Sequence, residues 1–232
     1  MTIGVVIPLY NEEHSISQTL EALFPHSFHE LVIVDGESTD GTLPLARSLC
    51  RGQDQITFTI LSSPQGRARQ MNAGAANMES EIILFLHADT LLPSQASFVI
   101  EQALSDPSCV GGHFDVQFAQ DQGYAWVVSR MMNIRSRLSG IATGDQALFV
   151  RKSVFEELGG FAEIPIMEDI DFTRRLKRIG QLAALRSKVT TSFRRWEQQG
   201  PLRTILLMWA LRGLFWLGLN PHALYQYYKT VR

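Results

Sequence analysis

Three acidic residues stand close together where a helix is predicted to begin. Glu168, Asp169 and Asp171 fall within four residues, after an irregular segment. Neighbouring acids raise one another's pKa, which suits a general base beside an acceptor hydroxyl. Acids at this position also stabilise a helix dipole, so at least one of them is expected to serve only the helix. The segment is therefore a candidate catalytic centre that can supply a general base.

A histidine and an aspartate separated by one residue follow another predicted strand. The oxygen of Asp89 suits Mg²⁺ or Mn²⁺, ions that substrate phosphates also hold. His87, two positions earlier, can face the same cation. One carboxylate and one imidazole do not complete a metal cage, and Asp is common in turns. Asp89 is therefore a candidate ligand that needs a substrate to complete its site.

Two further segments have the residue types that bind nucleotides. Asp35 ends a predicted strand, where its carboxylate can accept hydrogen bonds from a base or a ribose. The alternative is that this segment only starts a helix, with Ser38 or Thr39 as its cap. Arg67 and Arg69 begin a later predicted helix, where basic residues oppose the dipole. An anionic ligand nearby would explain them.

The elements that position these residues alternate between strands and helices. Runs of Val, Ile and Leu predict buried strands at 3–9, 30–35, 55–61 and 81–87. Helical spacing predicts helices at 13–23, 40–50 and 67–78. This alternation predicts an open α/β sheet with parallel strands, in which ligands bind beyond the carboxyl ends of the strands. Because the candidate residues follow those ends, they predict one site.

The second half of the sequence is less regular. Helices are predicted at 94–104, 124–138, 152–158 and 168–179, with Gly180 ending the last of these. An exposed strand is predicted at 111–118, and short strands at 146–150, 182–186 and 188–193. Pro201 then opens a long helix that is apolar nearly all round. Such a helix must be buried, meet a partner such as a second copy of the chain, or lie on a membrane surface.

Composition and charge narrow the function class. The chain has 232 residues, 45% of them hydrophobic and 19% charged, which excludes intrinsic disorder. Two cysteines form neither a disulfide framework nor a four-ligand zinc site. From residue 174 onward there are 12 Lys/Arg and one acid, a net +11, whereas the preceding residues carry −13. This basic part suits phosphate, anionic lipid or nucleic acid, or it pairs with the acidic body.

The order of the motifs resembles family-2 glycosyltransferases with the GT-A fold. The matching segments, in family order, are VVIPLYNEE, LVIVDGESTDGT, GRARQMNAGA, FLHADT, GDQALFVRKSVFEELGGF and EDIDFTRRLKRIG. They cover about residues 3 to 180. The nearest look-alikes are small bacterial enzymes associated with radical-SAM or arsenosugar genes, which share the Asp-Gly pair and the His-Ala-Asp triplet.

The resemblance implies a role for each matching position. The residues expected to bind the donor are Pro8, Tyr10, Glu12, Asp35, Arg67 and His87. Asp89 is expected to ligate Mn²⁺ or Mg²⁺ at the diphosphate, and Asp169, with Glu168 beside it, to deprotonate the acceptor in an inverting transfer. The acceptor-side residues are expected to be Asp145, Arg195 and Trp196.

Some positions depart from the family pattern. Gly36 replaces the usual second Asp, which removes one nucleotide contact. His87 replaces the first Asp of the Asp-x-Asp motif, and this substitution leaves the choice of metal open. Ser192 replaces the Gln of the Gln-x-x-Arg-Trp motif, which argues against polysaccharide synthesis.

These observations predict an α/β, GT-A-like domain over residues 1–200 and a C-terminal apolar helical segment over 201–232. Within the domain, 1–90 is expected to bind the nucleotide and 91–200 the acceptor. The expected partners are a nucleotide diphosphate sugar, with UDP favoured, and a hydroxyl acceptor, but not nucleic acid. With no basic leader before the first strand, a cytoplasmic location is expected, with contact at the inner membrane face an open option. The alternatives are a nucleotide-sugar binding protein without turnover and a nucleotidyltransferase, which the acidic loop after the first strand disfavours.

Overall fold

One mixed sheet of eight strands organises the chain in the computed structural model, which describes residues 1–53, 55–193 and 200–231. The strands are β1 (Ile3–Leu9), β2 (Glu30–Asp35), β3 (Thr57–Ser62), β4 (Ile82–Phe85), β5 (Thr90–Leu91), β6 (Cys109–Phe118), β7 (Phe149–Arg151) and β8 (Gln181–Thr191). Their order across the sheet is β3-β2-β1-β4-β7-β6-β8-β5. The first four strands are parallel, as the alternating sequence pattern predicts.

Helices cover both faces of this sheet. They are α1 (Ile16–Leu23), α2 (Thr42–Cys50), α3 (Arg67–Ala76), α4 (Ala96–Leu104), α5 (Tyr124–Ser139), α6 (Lys152–Glu157), α7 (Glu168–Leu176), α8 (Pro201–Trp216) and α9 (Pro221–Val231), with a 3₁₀ turn at Gly144–Gln146. The side chains of β1 alternate between the faces: Val5 and Ile7 pack with α1, α2, α4 and α5, and Val6 packs with α3, α6 and α7. The expected open α/β sheet flanked by helices is confirmed.

The strand order reverses at β1. From β1 the chain runs outward through β2 to β3, and it then returns to place β4 on the other side of β1. The loops that follow β1 and β4 therefore leave in different directions and open a crevice between them. Ligands of open α/β sheets bind in such a crevice, and this is where the candidate residues lie.

An aromatic cluster joins α7 to the centre of the sheet. The ring of Phe161 lies 4.9 Å from that of Phe85 on β4 and 4.6 Å from that of Phe172 on α7. Phe155 of α6 packs against all three. This contact fixes the start of α7, with Glu168 and Asp169, next to the end of β4.

The strand predicted at 111–118 is longer than expected, and the prediction that it is exposed is wrong. β6 is buried along almost its whole length. Its polar groups have partners inside the protein. Asp115 pairs with Arg137, and the side-chain amide of Asn133 on α5 hydrogen-bonds both the N–H and the carbonyl of Val116. The polar alternation therefore marks buried hydrogen-bonded groups and not a solvent face.

Two smaller predictions are also corrected. The strands predicted at 182–186 and 188–193 are one strand, β8, whose pairing with β6 shifts register opposite Phe114 and Asp115. Helix α7 ends at Leu176 with Lys177 as its C-cap, not at Gly180. Gly180 is instead required by space, because a Cβ there would lie 2.5 Å from Val110 Cγ1.

Helix α8 is only partly covered. Leu211 is buried with Leu224 of α9 against Ile141, Met167 and Ile170. Other apolar side chains of α8 face outward, among them Leu206, Trp209 and Trp216. In the described part of the chain, every helix is too short or too polar to span a bilayer.

Candidate active site

The loops after β1 and β2 are tied to each other by hydrogen bonds. The backbone N–H of Asn11 donates to Ser38 Oγ (3.0 Å), and that of Thr39 donates to Asn11 Oδ1 (2.9 Å). The backbone N–H of Glu12 donates to Thr42 Oγ1 (2.8 Å), while the Glu12 carbonyl accepts from the first residues of α1. The two loops therefore form one wall of the crevice.

A buried glutamine, Gln70, holds the ends of the two strands together. Its Nε2 donates to the carbonyl oxygens of Leu9 (2.6 Å), the last residue of β1, and Val34 (2.9 Å), the last but one of β2. Gly36 lies directly against it, since a Cβ on Gly36 would come 2.8 Å from that nitrogen. A second aspartate at position 36 would displace this bridge, which explains the departure from the family pattern.

Asp35 lies beneath these two loops, and one of its carboxylate oxygens accepts no hydrogen bond within the part of the chain that the structure describes. The side chain is 3% exposed, and its Oδ2 accepts the N–H of Ser38 at 3.2 Å. Oδ1 is buried and accepts no hydrogen bond from any described residue. Buried carboxylate oxygens are normally paired, so this atom needs an external donor. Pro8, half-buried on β1, and Tyr10, exposed at its end, lie on the same side of the crevice.

The opposite wall comes from the start of α3, the 3₁₀ turn and the start of α7. Arg67, His87, Gly144, Glu168 and Asp169 line one small cavity. His87 Nδ1 is 3.3 Å from Asp145 Oδ1, and a Cβ on Gly144 would lie 2.5 Å from His87 Nε2. The structure thus brings these predicted donor residues to the catalytic candidates.

Glu168 and Asp169 differ in their surroundings. Glu168 is 4% exposed, and burial, followed by the charge of Asp169, raises its pKa to about 6. Arg67, whose Nη1 lies 3.6 Å from Glu168 Oε1, opposes this rise. Asp169 is half-buried, and its Oδ2 accepts the N–H of Gly144 at 2.8 Å. Asp169 is thus the more accessible acid and is held in place by backbone.

The third acid of the group is already occupied. Asp171 accepts from Arg175 Nε at 2.9 Å and from Arg174 Nη2 at 3.3 Å. These ion pairs lie within α7 and turn the side chain toward its own helix. Asp171 therefore fills the helix-stabilising role expected for at least one of the three.

Strained backbone concentrates at this site. Asn11, Glu37, Ala147 and Met167 are the non-glycine residues with positive φ in the described ranges, at 46° to 68°. Each lies within two residues of a candidate site residue. Such conformations are costly for residues with a Cβ, and they persist where the surrounding structure holds a functional geometry. This signal is absent from the sequence.

The comparisons with known proteins agree with this architecture. The model of the family described as Glycosyl transferase family 2 matches residues 4–159. The chain belongs to glycosyl transferase family 2. Its relatives include glycosyltransferase AglE of Haloferax volcanii, 29% identical over 192 residues (77% of this chain, 62% of the relative), and probable glycosyltransferase YdaM of Bacillus subtilis, 27% identical over 201 residues (77% and 47%). The chain thus spans about half to under two thirds of the length of these relatives.

Solved structures confirm the GT-A arrangement. Staphylococcus aureus TarS in complex with UDP-GlcNAc matches with a TM-score of 0.66 at 18% identity, over 83% of this chain and 58% of that one. The mannosyltransferase PcManGT of Pyrobaculum calidifontis, in complex with GDP-Man and Mn²⁺, matches with a TM-score of 0.66 at 21% identity, over 82% and 56%. At these identities the likeness shows the fold.

The side chains available as metal ligands at this site fit a cation that is also held by a substrate. The described residues contain no group of three or more His, Cys, Asp or Glu side chains placed to enclose a metal. Asp89, half-buried after β4, offers one carboxylate. Mg²⁺ is commonly held by one or two carboxylates, substrate phosphates and water, so a single Asp is compatible with such a site.

Sequence motifs do not indicate every residue of the site, and two of the predicted residues lie outside the part of the chain that the structure describes. Arg195 and Trp196 lie outside the described residues. Gln70 is hidden because one glutamine in a helix has no distinguishing pattern. Arg135 and Arg212, whose guanidinium groups meet near Asp145, come from distant helices, and the unfavourable charge of Arg212 on an apolar helix was the available signal.

The raised pKa of Glu168 predicts a pH-dependent stability. Between about pH 4.5 and 6 the folded state holds a proton on Glu168 that the unfolded state has lost, so ionisation destabilises the fold as pH rises. The difference corresponds to roughly 2 kcal/mol. We therefore expect the free energy of unfolding of Glu168→Gln, relative to wild type, to increase between pH 4 and pH 7 in urea titrations. Glu21→Gln, which removes an exposed acid from α1, should show a constant difference, and parallel curves for both variants would contradict the assignment.

Proposed function

We propose that this chain transfers a sugar, with inversion, from a nucleoside diphosphate sugar to an acceptor hydroxyl. The observation that carries the proposal is the buried, unpaired Oδ1 of Asp35 at the switch point, opposite the accessible carboxylate of Asp169. The first is a waiting hydrogen-bond acceptor for a nucleoside, and the second is a base. The complexes of the fold neighbours with UDP-GlcNAc and GDP-Man support a nucleotide-sugar donor.

We assign the donor to the wall formed by residues 1–90. Asp35 accepts from the base or ribose, while Pro8, Tyr10 and Glu12 border the nucleoside. Arg67 and His87 lie where the diphosphate must leave, between the strand ends and α7. UDP is the proposed nucleotide, supported by the UDP and UDP-GlcNAc complexes of TarS.

The acceptor would enter from the side of residues 91–200 and 201–232. Asp169 removes the proton of the attacking hydroxyl as its oxygen forms a bond to the anomeric carbon. The bond from that carbon to the diphosphate oxygen breaks on the opposite face, which inverts the configuration. A divalent cation, Mn²⁺ or Mg²⁺, bound by Asp89 supplies charge neutralisation for the diphosphate. Arg67 adds a fixed positive charge beside the same group.

Two local features support a narrower assignment within the family. Gly36 and the His87-Ala88-Asp89 triplet are shared with the small bacterial glycosyltransferases associated with radical-SAM or arsenosugar genes. Gly36 packs against Gln70 in one wall of the crevice, and His87 faces Asp145 in the opposite wall, so each departure has its own local contact. We propose that the chain belongs to this group.

The proposed metal ligand has a direct test. Asp89→Ala should abolish the Mn²⁺-dependent part of UDP binding in isothermal titration calorimetry while leaving the circular dichroism spectrum unchanged, because the side chain is only half-buried. Glu21→Ala, which removes an acid from the exposed side of α1, should bind UDP and Mn²⁺ as the wild type does. Wild-type affinity in Asp89→Ala would assign the metal to other residues.

The proposed base predicts a separation of turnover from binding. Asp169→Asn keeps the size of the side chain but does not take a proton, so kcat should fall by at least about a hundredfold while donor affinity changes little. Glu157→Gln, exposed on α6, is the matched control and should leave both unchanged. Normal turnover in Asp169→Asn would move the role to Glu168. Wild-type protein that binds UDP-sugars but turns over none with any hydroxyl acceptor would favour a binding protein.

The outer faces of α5 and α8 support contact with a membrane surface. Leu138 is 85% exposed, Leu206 68% and Leu217 80%, and Trp209 and Trp216 are exposed nearby. Apolar and Trp side chains enter a lipid interface, and the basic C-terminal part attracts anionic headgroups. We propose a cytoplasmic protein that lies peripherally on the inner membrane face.

Flotation tests this membrane contact. The protein should float with phosphatidylglycerol-containing liposomes at low salt and less so at high salt, since salt screens the headgroup attraction. Replacing Leu138, Leu206 and Leu217 with Gln should abolish flotation, whereas Phe98→Gln, which removes an exposed apolar side chain from α4, should not. If the protein stays at the bottom of the gradient at both salt concentrations and elutes as a dimer in size-exclusion chromatography, the surface would instead be assigned to a homodimer.

A further inference from the structure

A deep groove separates α5 from α8, outside the donor site. It has a volume of about 380 Å³ and mainly apolar walls, which include Val128, Met132, Met208, Trp209 and Trp216. A groove of this size lies within the range of small-molecule sites. Most of its lining is apolar, which suits a ligand with an apolar part, so the proposed donor does not account for it.

Two arginines reach into this groove with part of their hydrogen-bonding capacity unused. Nε and Nη2 of Arg135, from α5, and Nε of Arg212, from α8, are buried and form no hydrogen bond to any described residue. Burial, and then the charge of Arg212, lowers the pKa of Arg135 to about 10. Two guanidinium groups that repel each other in a sheltered place are stable only beside negative charge. Asp145 and Asp169 supply part of it from one side.

The groove opens toward the proposed chemistry. Asp145 lines it and also lies 3.3 Å from His87 of the donor site. The charge of Asp169 acts on both Arg135 and Arg212. A molecule held by the two arginines would therefore present its next groups to the base.

We propose that this groove binds the acceptor, and that the acceptor is an amphiphile whose phosphate joins an apolar chain to a hydroxyl-bearing group, so that the phosphate lies on the two arginines and the hydroxyl faces Asp169. The inference rests on the proposed function, because it names the substrate that receives the sugar. Guanidinium groups pair with phosphate oxygens through paired N–H donors, which satisfies the unpaired nitrogens of Arg135 and Arg212. The chain lies between α5 and α8, along the same apolar surface that faces outward. Free inorganic phosphate would leave those walls uncovered.

Three probes separate these contributions in the wild-type protein. Decyl phosphate, tetraethylene glycol decyl ether and inorganic phosphate are each titrated below micelle formation. The readouts are calorimetry and tryptophan fluorescence, to which Trp209 and Trp216 of the groove contribute. Decyl phosphate should bind at least about tenfold more tightly than either the neutral chain or phosphate alone, because only it supplies both the anion and the chain. Equal affinity of the neutral chain would overturn the proposal.

Variants test the two arginines directly. Arg135→Gln combined with Arg212→Gln should weaken decyl phosphate binding by about tenfold or more, while binding of the neutral decyl ether stays as in wild type. Arg130→Gln combined with Arg203→Gln removes the same charge from the exposed side of the same two helices. This control should bind as wild type does. An equal loss in the control would reduce the effect to net charge and overturn the assignment, and if the first pair fails to fold, the probe comparison still decides.

A donor titration distinguishes failure of this inference from failure of the proposed function. UDP binding with Mn²⁺ is measured in the same variants, where it should be unchanged. Arginine-dependent binding of decyl phosphate without any UDP binding would keep the groove assignment and remove the donor assignment. Binding of UDP without preference for decyl phosphate would keep the donor site and remove the groove.

Discussion

The amide of Gln70 links the carboxyl ends of β1 and β2, and the geometry of the site depends on this link. By donating to Leu9 and Val34 at once, one buried nitrogen fixes how far apart the two loops begin. The loops can then bond to each other through Asn11, and the floor beneath them holds Asp35. Because the Gln70 amide lies against position 36, a side chain there would displace the amide from the two carbonyl oxygens. The glycine at a family aspartate position thus accompanies this bridge.

The second wall is positioned by apolar packing. Phe85, Phe155, Phe161 and Phe172 join β4, α6 and α7, so the acids at the start of α7 stand at a fixed distance from the end of β4. Close-packed aromatic rings resist displacement. The backbone that carries Asp169 is therefore held rigidly, although it lies at the start of a helix after a loop. Polar contacts shape one side of the crevice and aromatic contacts the other.

The first half of the fold could be predicted from sequence because its strands are buried on both faces. Short continuous runs such as LVIV, in alternation with helical patterns, favour buried parallel strands, and the polar residues after them mark the edge where ligands bind. The second half contains buried polar groups. Those of β6 give it the alternation of an exposed strand, although Asp115 is paired with Arg137 and the backbone of Val116 with Asn133 of α5. The bridge of Gln70, the strain at Met167 and the meeting of Arg135 with Arg212 join residues far apart in sequence, so no local pattern could indicate them.

Several costly features coexist at one edge of this sheet: the unpaired oxygen of Asp35, the raised pKa of Glu168, positive φ at non-glycine residues and two facing arginines. Elsewhere in the described chain, buried acids such as Glu30 and Asp115 are paired within the protein. A fold that satisfies its other buried acids has the packing to satisfy these too, so their incomplete pairing is a property of the site. Under the proposed function, the unpaired oxygen of Asp35 would meet the nucleotide, and the unpaired nitrogens of Arg135 on α5 and Arg212 on α8 would meet the acceptor. The proposed order along the crevice is then sugar donor, Asp169 and acceptor.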